Sequence, residues 1–132
     1  MQIPKDKLVF PELSYKILGA AFGAFNELGW GLSEKDYQRG LAKELEKVGI
    51  PFEREVYIPL TYKSESVSRF YADFVTEGKI ILELKVTPKL GYAHTRQLLG
   101  YLIGSGYKLG ILLYFTKDGV KHRRVLNSRV DD

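Results

Sequence analysis

At 132 residues, 45% hydrophobic and 27% charged, the chain is long enough to bury a core without covalent staples and has an ordinary globular composition. It has no cysteine, which excludes disulfides, a thiolate nucleophile and a zinc–thiolate centre and fits a reducing cytoplasm. No apolar run reaches the length of a membrane span, the N-terminus lacks a signal-peptide pattern, and the net charge of +4 leans toward an anionic partner.

From Glu12 to Leu28, Leu13, Ile17, Leu18, Ala21, Phe22 and Phe25 recur at helical spacing. Ala20, Ala21, Gly23 and Ala24 thin one side of that helix, which suits close packing against a neighbour. Gly29-Trp30-Gly31 breaks it. Ser33 is the N-cap candidate of a second helix, with Glu34 and Asp36 in its first turn. That helix runs through Tyr37, Leu41, Leu45 and Val48 to Gly49, with Pro51 beyond.

At Phe52 the period changes to two. Phe52 to Tyr62 reads as a strand in which Pro59 marks an edge or a bulge, and Lys63 to Ser68 as a polar turn. A hairpin over Phe70 to Thr87 ends at Pro88. A third helix runs from about Tyr92 to Ile103, and strands Tyr107 to Phe115 and Val120 to Leu126 flank Lys117-Asp118-Gly119. The order is α-α-β-β-β-α-β-β, an α/β fold with a central sheet flanked by helices. No repeat or linker divides the chain, so one domain over residues 1–132 is expected.

The hairpin carries the chemistry. Ile80, Ile81, Leu82, Leu84 and Val86 make its second half apolar on both faces, as in a strand covered on both sides. Glu83 and Lys85 interrupt that run on one face, and charges there are costly unless paired. A three-residue loop, Thr76-Glu77-Gly78, places Asp73 opposite Ile81 and diagonal to Glu83 on the same surface. Two carboxylates on adjacent strands make a hard-oxygen site for Mg²⁺ or Mn²⁺, with the Leu84 carbonyl as a third ligand. Lys85 is placed to orient a water or to stabilise phosphoryl charge. The alternative is an ordinary cross-strand ion pair. Without a cation, Asp73 and Glu83 should repel and raise at least one carboxyl pKa, opposed by Lys85.

On the third helix Gln97 and Tyr101 share a face, with His94 a turn earlier. Gln97 is a candidate to hold a water or phosphate oxygen, and Tyr101 to contact phosphate or to pack in the core. His94 is a weaker candidate metal ligand than a hydrogen-bonding residue. Glu34 either favours the start of its helix or adds a third carboxylate to the site. Lys85, Lys89, Arg96, Arg123 and Arg124 are candidates to hold phosphates, against the default of a solvated basic face.

Gly31, Glu34 and Tyr37 spell Gly-x-x-Glu-x-x-Tyr, and with Tyr71-Ala72-Asp73, Glu83-Leu84-Lys85 and Gln97 followed by Tyr101 the chain resembles the GxxExxY proteins of the PD-(D/E)XK nuclease superfamily. The resemblance covers about Leu18 to Leu126. Its Gln-x-x-x-Tyr is similar to that of RecB-type exonucleases. Ala72 stands where the superfamily name has proline. The resemblance implies a restriction-endonuclease-like core in which Asp73 and Glu83 bind metal, Lys85 assists hydrolysis, and Gln97 and Glu34 support the site. The activity it implies is Mg²⁺- or Mn²⁺-dependent phosphodiester hydrolysis, of DNA ahead of RNA. The competing expectation is a catalytically silent nucleic-acid-binding or protein-interaction domain, and a homodimer stays open.

Overall fold

The structure, a computed structural model, describes residues 9–88, 91 and 93–130. Its elements are α1 (Pro11–Leu28), α2 (Glu34–Lys47), β1 (Phe52–Tyr57), β2 (Thr61–Tyr62), β3 (Glu65–Ser66), β4 (Tyr71–Thr76), β5 (Ile80–Val86), α3 (Ala93–Ser105), β6 (Leu109–Thr116) and β7 (Gly119–Leu126). Five strands form a mixed sheet in the order β1-β4-β5-β6-β7, and β2 with β3 forms a separate two-stranded hairpin. Strands β5 and β6 run parallel, joined by α3, and the other sheet neighbours are antiparallel.

Both ends of α2 have a local cause. Ser33 and Asp36 close a capping box at the start of α2: the Asp36 N–H donates to Ser33 Oγ (3.2 Å) and the Ser33 N–H to Asp36 Oδ2 (3.3 Å). The helix ends in a Schellman turn. Gly49 takes φ 75°, its N–H reaches Glu46 O (3.1 Å), and the Ile50 N–H reaches Leu45 O (3.0 Å). The small residues of α1 do lie against α2. Ala20, Ala21 and Ala24 are buried, and a Cβ on Gly40 would come within 2.8 Å of Leu28 Cδ1.

The sheet separates two apolar clusters. Ile17, Tyr37, Leu41 and Leu45 pack on Phe74, Leu82, Leu84 and Phe115 on one face. Leu98 and Leu102 of α3 pack on Ile81, Leu112 and Tyr114 on the other. All eight residues of β6 are buried, as expected of a strand covered on both faces.

Boundaries differ most from the sequence reading in two places. The strand expected over Phe52 to Tyr62 stops at Tyr57, before Pro59, which has no N–H to continue a ladder. The chain then makes the short β2–β3 hairpin, turning at Lys63 and Ser64 with φ of 50° and 69°. The strand expected from Tyr107 starts at Leu109, because Gly106, at φ 83°, and its neighbours close α3 first.

Connectivity sets where the site lies. Helix α2 leads through Pro51 into β1, whose first residue Phe52 pairs with Thr76, so α2 ends beside the β4–β5 turn. Its first residue, Glu34, therefore belongs to the opposite end, where β5 finishes and α3 begins.

Gly110 lets α3 lie close. A Cβ there would meet three Leu98 atoms at 2.8, 3.0 and 3.2 Å, and Leu98 is buried. Gly110→Ala, which would otherwise suit a strand, should cost about 1–3 kcal/mol by overpacking. The expected result is a lower urea midpoint with an unchanged m-value.

Candidate active site

Strands β4 and β5 are joined through Glu77 and Gly78, both left-handed (φ 50° and 64°), with the Lys79 N–H closing the turn on Thr76 O at 2.9 Å. The ladder then pairs Thr76 with Ile80, Val75 with Ile81 and Phe74 with Leu82, leaving Lys79 as the extra residue. The expected register is thus shifted by two residues. Asp73 continues the row directly across from Glu83 rather than Ile81, and a shift of two preserves the face.

At that row side chains replace the ladder. The Asp73 N–H donates to Glu83 Oε2 (3.1 Å), and the Leu84 N–H donates to Asp73 Oδ2 (2.8 Å). Each carboxyl satisfies a backbone donor of the facing strand, while the Leu84 side chain is buried. On its other side Asp73 lies across from Glu55, which takes φ 51° between the pairs Arg54 with Phe74 and Val56 with Ala72. Phe74 belongs to the cluster under α1 and α2 and Ala72 to the one under α3, so the alternation slips by one at Asp73.

Burial pushes the Glu83 carboxyl up to about 9, reinforced by its hydrogen bond to and charge repulsion from Asp73; the backbone bond and Lys85 oppose this. Glu34 is also raised, by burial first and by the Asp73 charge second, with Lys85 and Lys35 opposing. Glu34, Asp73, Glu83 and Lys85 therefore share one electrostatic environment. Glu83 and Lys85 also line a narrow cleft with His94, Gln97, Leu98, Tyr101 and Leu112; its volume of about 10 Å³ is near the room one water needs.

The other candidates divide. Tyr101 lines the cleft but stacks face to face on Phe70, ring centroids 3.7 Å apart at 5°. Arg96 is exposed on α3. Arg123 pairs with Leu112, which pairs with Glu83, so it lies two strands from the carboxyls in the same row. Arg124 donates to the Val9 carbonyl beside the start of α1, away from the cleft. Lys89 lies outside the described residues.

Tyr37 has a role that its spacing alone did not reveal. Its ring is buried and stacked on Phe115 at 4.5 Å. Its hydroxyl donates to Gly29 O (2.5 Å) and accepts from the Leu32 N–H (3.4 Å). It pins the loop that presents Glu34.

Among the described residues no three His, Asp or Glu side chains gather as a metal-ion cluster. Two carboxylates on adjacent strands nonetheless fit a hard cation of the Mg²⁺ type, which is held through one or two carboxylates and keeps several waters. Glu83 retains its proton where such a charge would otherwise hold it ionised.

A sequence profile of the PD-(D/E)XK nuclease superfamily matches residues 11–125, most of the chain. The chain belongs to that superfamily. The crystal structure of SSO0001 is similar to this PD-(D/E)XK chain with a TM-score of 0.53 and 21% identity, over 93% of this chain and 59% of the other. The chain thus spans less than two thirds of that protein. The alkaline exonuclease LHK-Exo from Laribacter hongkongensis is similar at TM-score 0.50 and 9% identity, over 92% of this chain and 72% of that one. At these identities the likeness speaks for the fold, a restriction-endonuclease-like mixed sheet flanked by helices. No curated protein matches the chain. No helix among the described residues is long and apolar enough to cross a membrane.

Two outcomes are expected of this PD-(D/E)XK chain. Glu83 binds its proton more tightly folded (about 9) than at the ordinary value of 4.5, so its contribution to stability is full below the lower value and is lost as pH rises through the higher. In chelator-treated protein the melting temperature should fall as pH rises across that window, and Glu83→Gln should flatten the fall. Tyr37→Phe, which strips a partner from both Gly29 O and the Leu32 N–H, should cost about 1–3 kcal/mol in denaturant melts.

Proposed function

We propose that the chain is a Mg²⁺- or Mn²⁺-dependent nuclease that hydrolyses phosphodiester bonds of DNA in preference to RNA. The observation that carries this reading is the pair of carboxyls, Asp73 and Glu83, half-buried opposite one another on β4 and β5 beside Lys85. Membership of a nuclease superfamily supports it. So does a fold shared with a protein described as an alkaline exonuclease.

In this reading Asp73, Glu83 and the Leu84 carbonyl hold the cation. When bound, the cation supplies Lewis-acid stabilisation of phosphoryl charge and a lowered pKa for water. Glu83 would hold the cation in its ionised form. Lys85, two residues beyond Glu83 on the same face of β5, stabilises developing charge on the phosphoryl oxygens and steers the attacking water. Gln97 faces Glu83 and Lys85 across the narrow cleft and orients that water. Glu34 approaches from α2 as an outer carboxylate that accepts a proton or hydrogen-bonds a water. Arg96 and Arg123 hold phosphates farther along the strand, as does Lys89.

A catalytically silent nucleic-acid-binding or protein-interaction domain is the competing reading. It is favoured by the tightness of the cleft and by the commitment of both carboxyls to backbone N–H groups.

Cation binding and cleavage separate the two. Millimolar Mn²⁺ should raise the melting temperature of the wild type and not of Asp73→Asn. Because loading releases the Glu83 proton, apparent Mn²⁺ affinity should climb about tenfold per pH unit below the Glu83 pKa. Lys85→Ala should lose cleavage by about two to four orders of magnitude while keeping DNA affinity to within about one phosphate contact's salt slope. A wild type that binds DNA but cuts no form of it with either cation would establish the silent domain.

A further inference from the structure

Tyr57 and Tyr71 are directly opposed across β1 and β4, with ring centroids 5.4 Å apart at 49°. They stay 41% and 56% exposed, and neither belongs to a core cluster. The pair is held in place from both sides. The Tyr57 hydroxyl bonds to Ser66 Oγ (2.6 Å) and Ser68 O (3.2 Å), which fixes its ring against the β2–β3 hairpin. The residue before Tyr71, Phe70, is stacked on Tyr101 of α3. Such rings keep open faces at low conformational cost, because their orientation is set before any ligand arrives.

Their position relates them to the carboxyls. Tyr71 precedes Asp73 by two residues, roughly 7 Å along an extended strand. Flanked by Phe70 and Ala72 of the cluster under α3, it points to the other face of the sheet, the one on which α2 presents Glu34. Tyr62, 64% exposed, stands on the adjoining hairpin with Lys63 Nζ 5.5 Å from its ring centroid, and Arg69 is exposed two residues before Tyr71. Open aromatic faces flanked by cations are complementary to an unpaired nucleotide, which offers a π-face and a phosphate together. In a duplex those base faces are already stacked on their neighbours.

Resting on the nuclease reading above, we propose that Tyr57 and Tyr71 form a stacking platform for an unpaired base next to the phosphate at Asp73 and Glu83, making single-stranded DNA the favoured substrate. Sequence preference is weak, since every base has a π-face.

The test is anisotropy with labelled oligothymidylate and with a duplex of equal length, in chelator so that nothing is cut. Oligothymidylate should bind tighter than duplex. Tyr57→Ala and Tyr71→Ala should each weaken oligothymidylate binding about five- to a hundredfold, leaving duplex affinity and the salt slope unchanged. Tyr71→Phe should bind like wild type and Tyr71→Leu like Tyr71→Ala, which separates ring stacking from bulk if an alanine variant is unstable. Unchanged oligothymidylate affinity in folded alanine variants overturns the platform; if metal-dependent cleavage persists in them, the nuclease reading stands without it. Binding that depends on the tyrosines without cleavage by wild type in Mg²⁺ or Mn²⁺ keeps the platform and removes the nuclease. Should the variants dissolve a wild-type dimer in sedimentation while affinity is unaltered, the surface joins copies of the chain and the proposal falls.

Discussion

Two carboxyl groups are half-buried where the β4–β5 ladder gives way, and much of the molecule follows from accommodating them. An ionised carboxylate in an apolar interior costs several kcal/mol unless it is paired or hydrogen-bonded. Here each carboxyl accepts an N–H from the facing strand, Asp73 from Leu84 and Glu83 from Asp73. The strands therefore stay together without their ordinary ladder bonds. The remaining cost is met by protonation: with burial and Asp73 both against its charge, Glu83 keeps its proton well into the alkaline range. The pair is thus comfortable in the isolated chain only by holding a proton. A site with that property accepts a positive charge more readily than a solvated pair does.

Much of the architecture was legible from local chemistry. Ser33 with Asp36, Gly49 before Pro51 and the small residues of α1 each act as their types predict. The central strand was legible too, because apolar residues on both faces leave Glu83 and Lys85 conspicuous. Register was not. Glu77-Gly78 is a weak turn signal, and nothing local marks Lys79 as the extra residue that moves Asp73 from Ile81 to Glu83. The face survived only because the error was two residues, the period of a strand.

Side-chain partners were legible least, since they depend on long-range placement. Arg124 and Arg123 are neighbours in a basic run, yet one is tied to the Val9 carbonyl and the other shares the row of Glu83. Tyr101 reads as a possible phosphate contact until Phe70, thirty-one positions away, covers its ring. Tyr37 shows the opposite case. Spacing from Glu34 placed it on the same helix face, but only the fold reveals that its hydroxyl ties Gly29 and Leu32. The Gly-x-x-Glu-x-x-Tyr pattern then has a mechanical meaning. Gly31 takes φ 110° in the loop, Tyr37 clamps that loop to the core, and Glu34 is delivered to the carboxyl pair.

The distribution of charge bears on what such a site can hold. A net charge of +4 suggests affinity for polyanions, but the charge does not converge on the cleft. Arg124 is drawn to the far end of α1, and Lys85 stands among three carboxyl groups, Glu34, Asp73 and Glu83. With the proton on Glu83 the repulsion of a phosphate is reduced. Once Glu83 is ionised beside Asp73 the local field turns more negative, and phosphate would be repelled. In the proposed reading a bound cation would screen that repulsion, and the proton on Glu83 lets the unloaded site avoid most of it. The same carboxyl that makes β5 costly to bury thus governs how the site meets a cation or a phosphate.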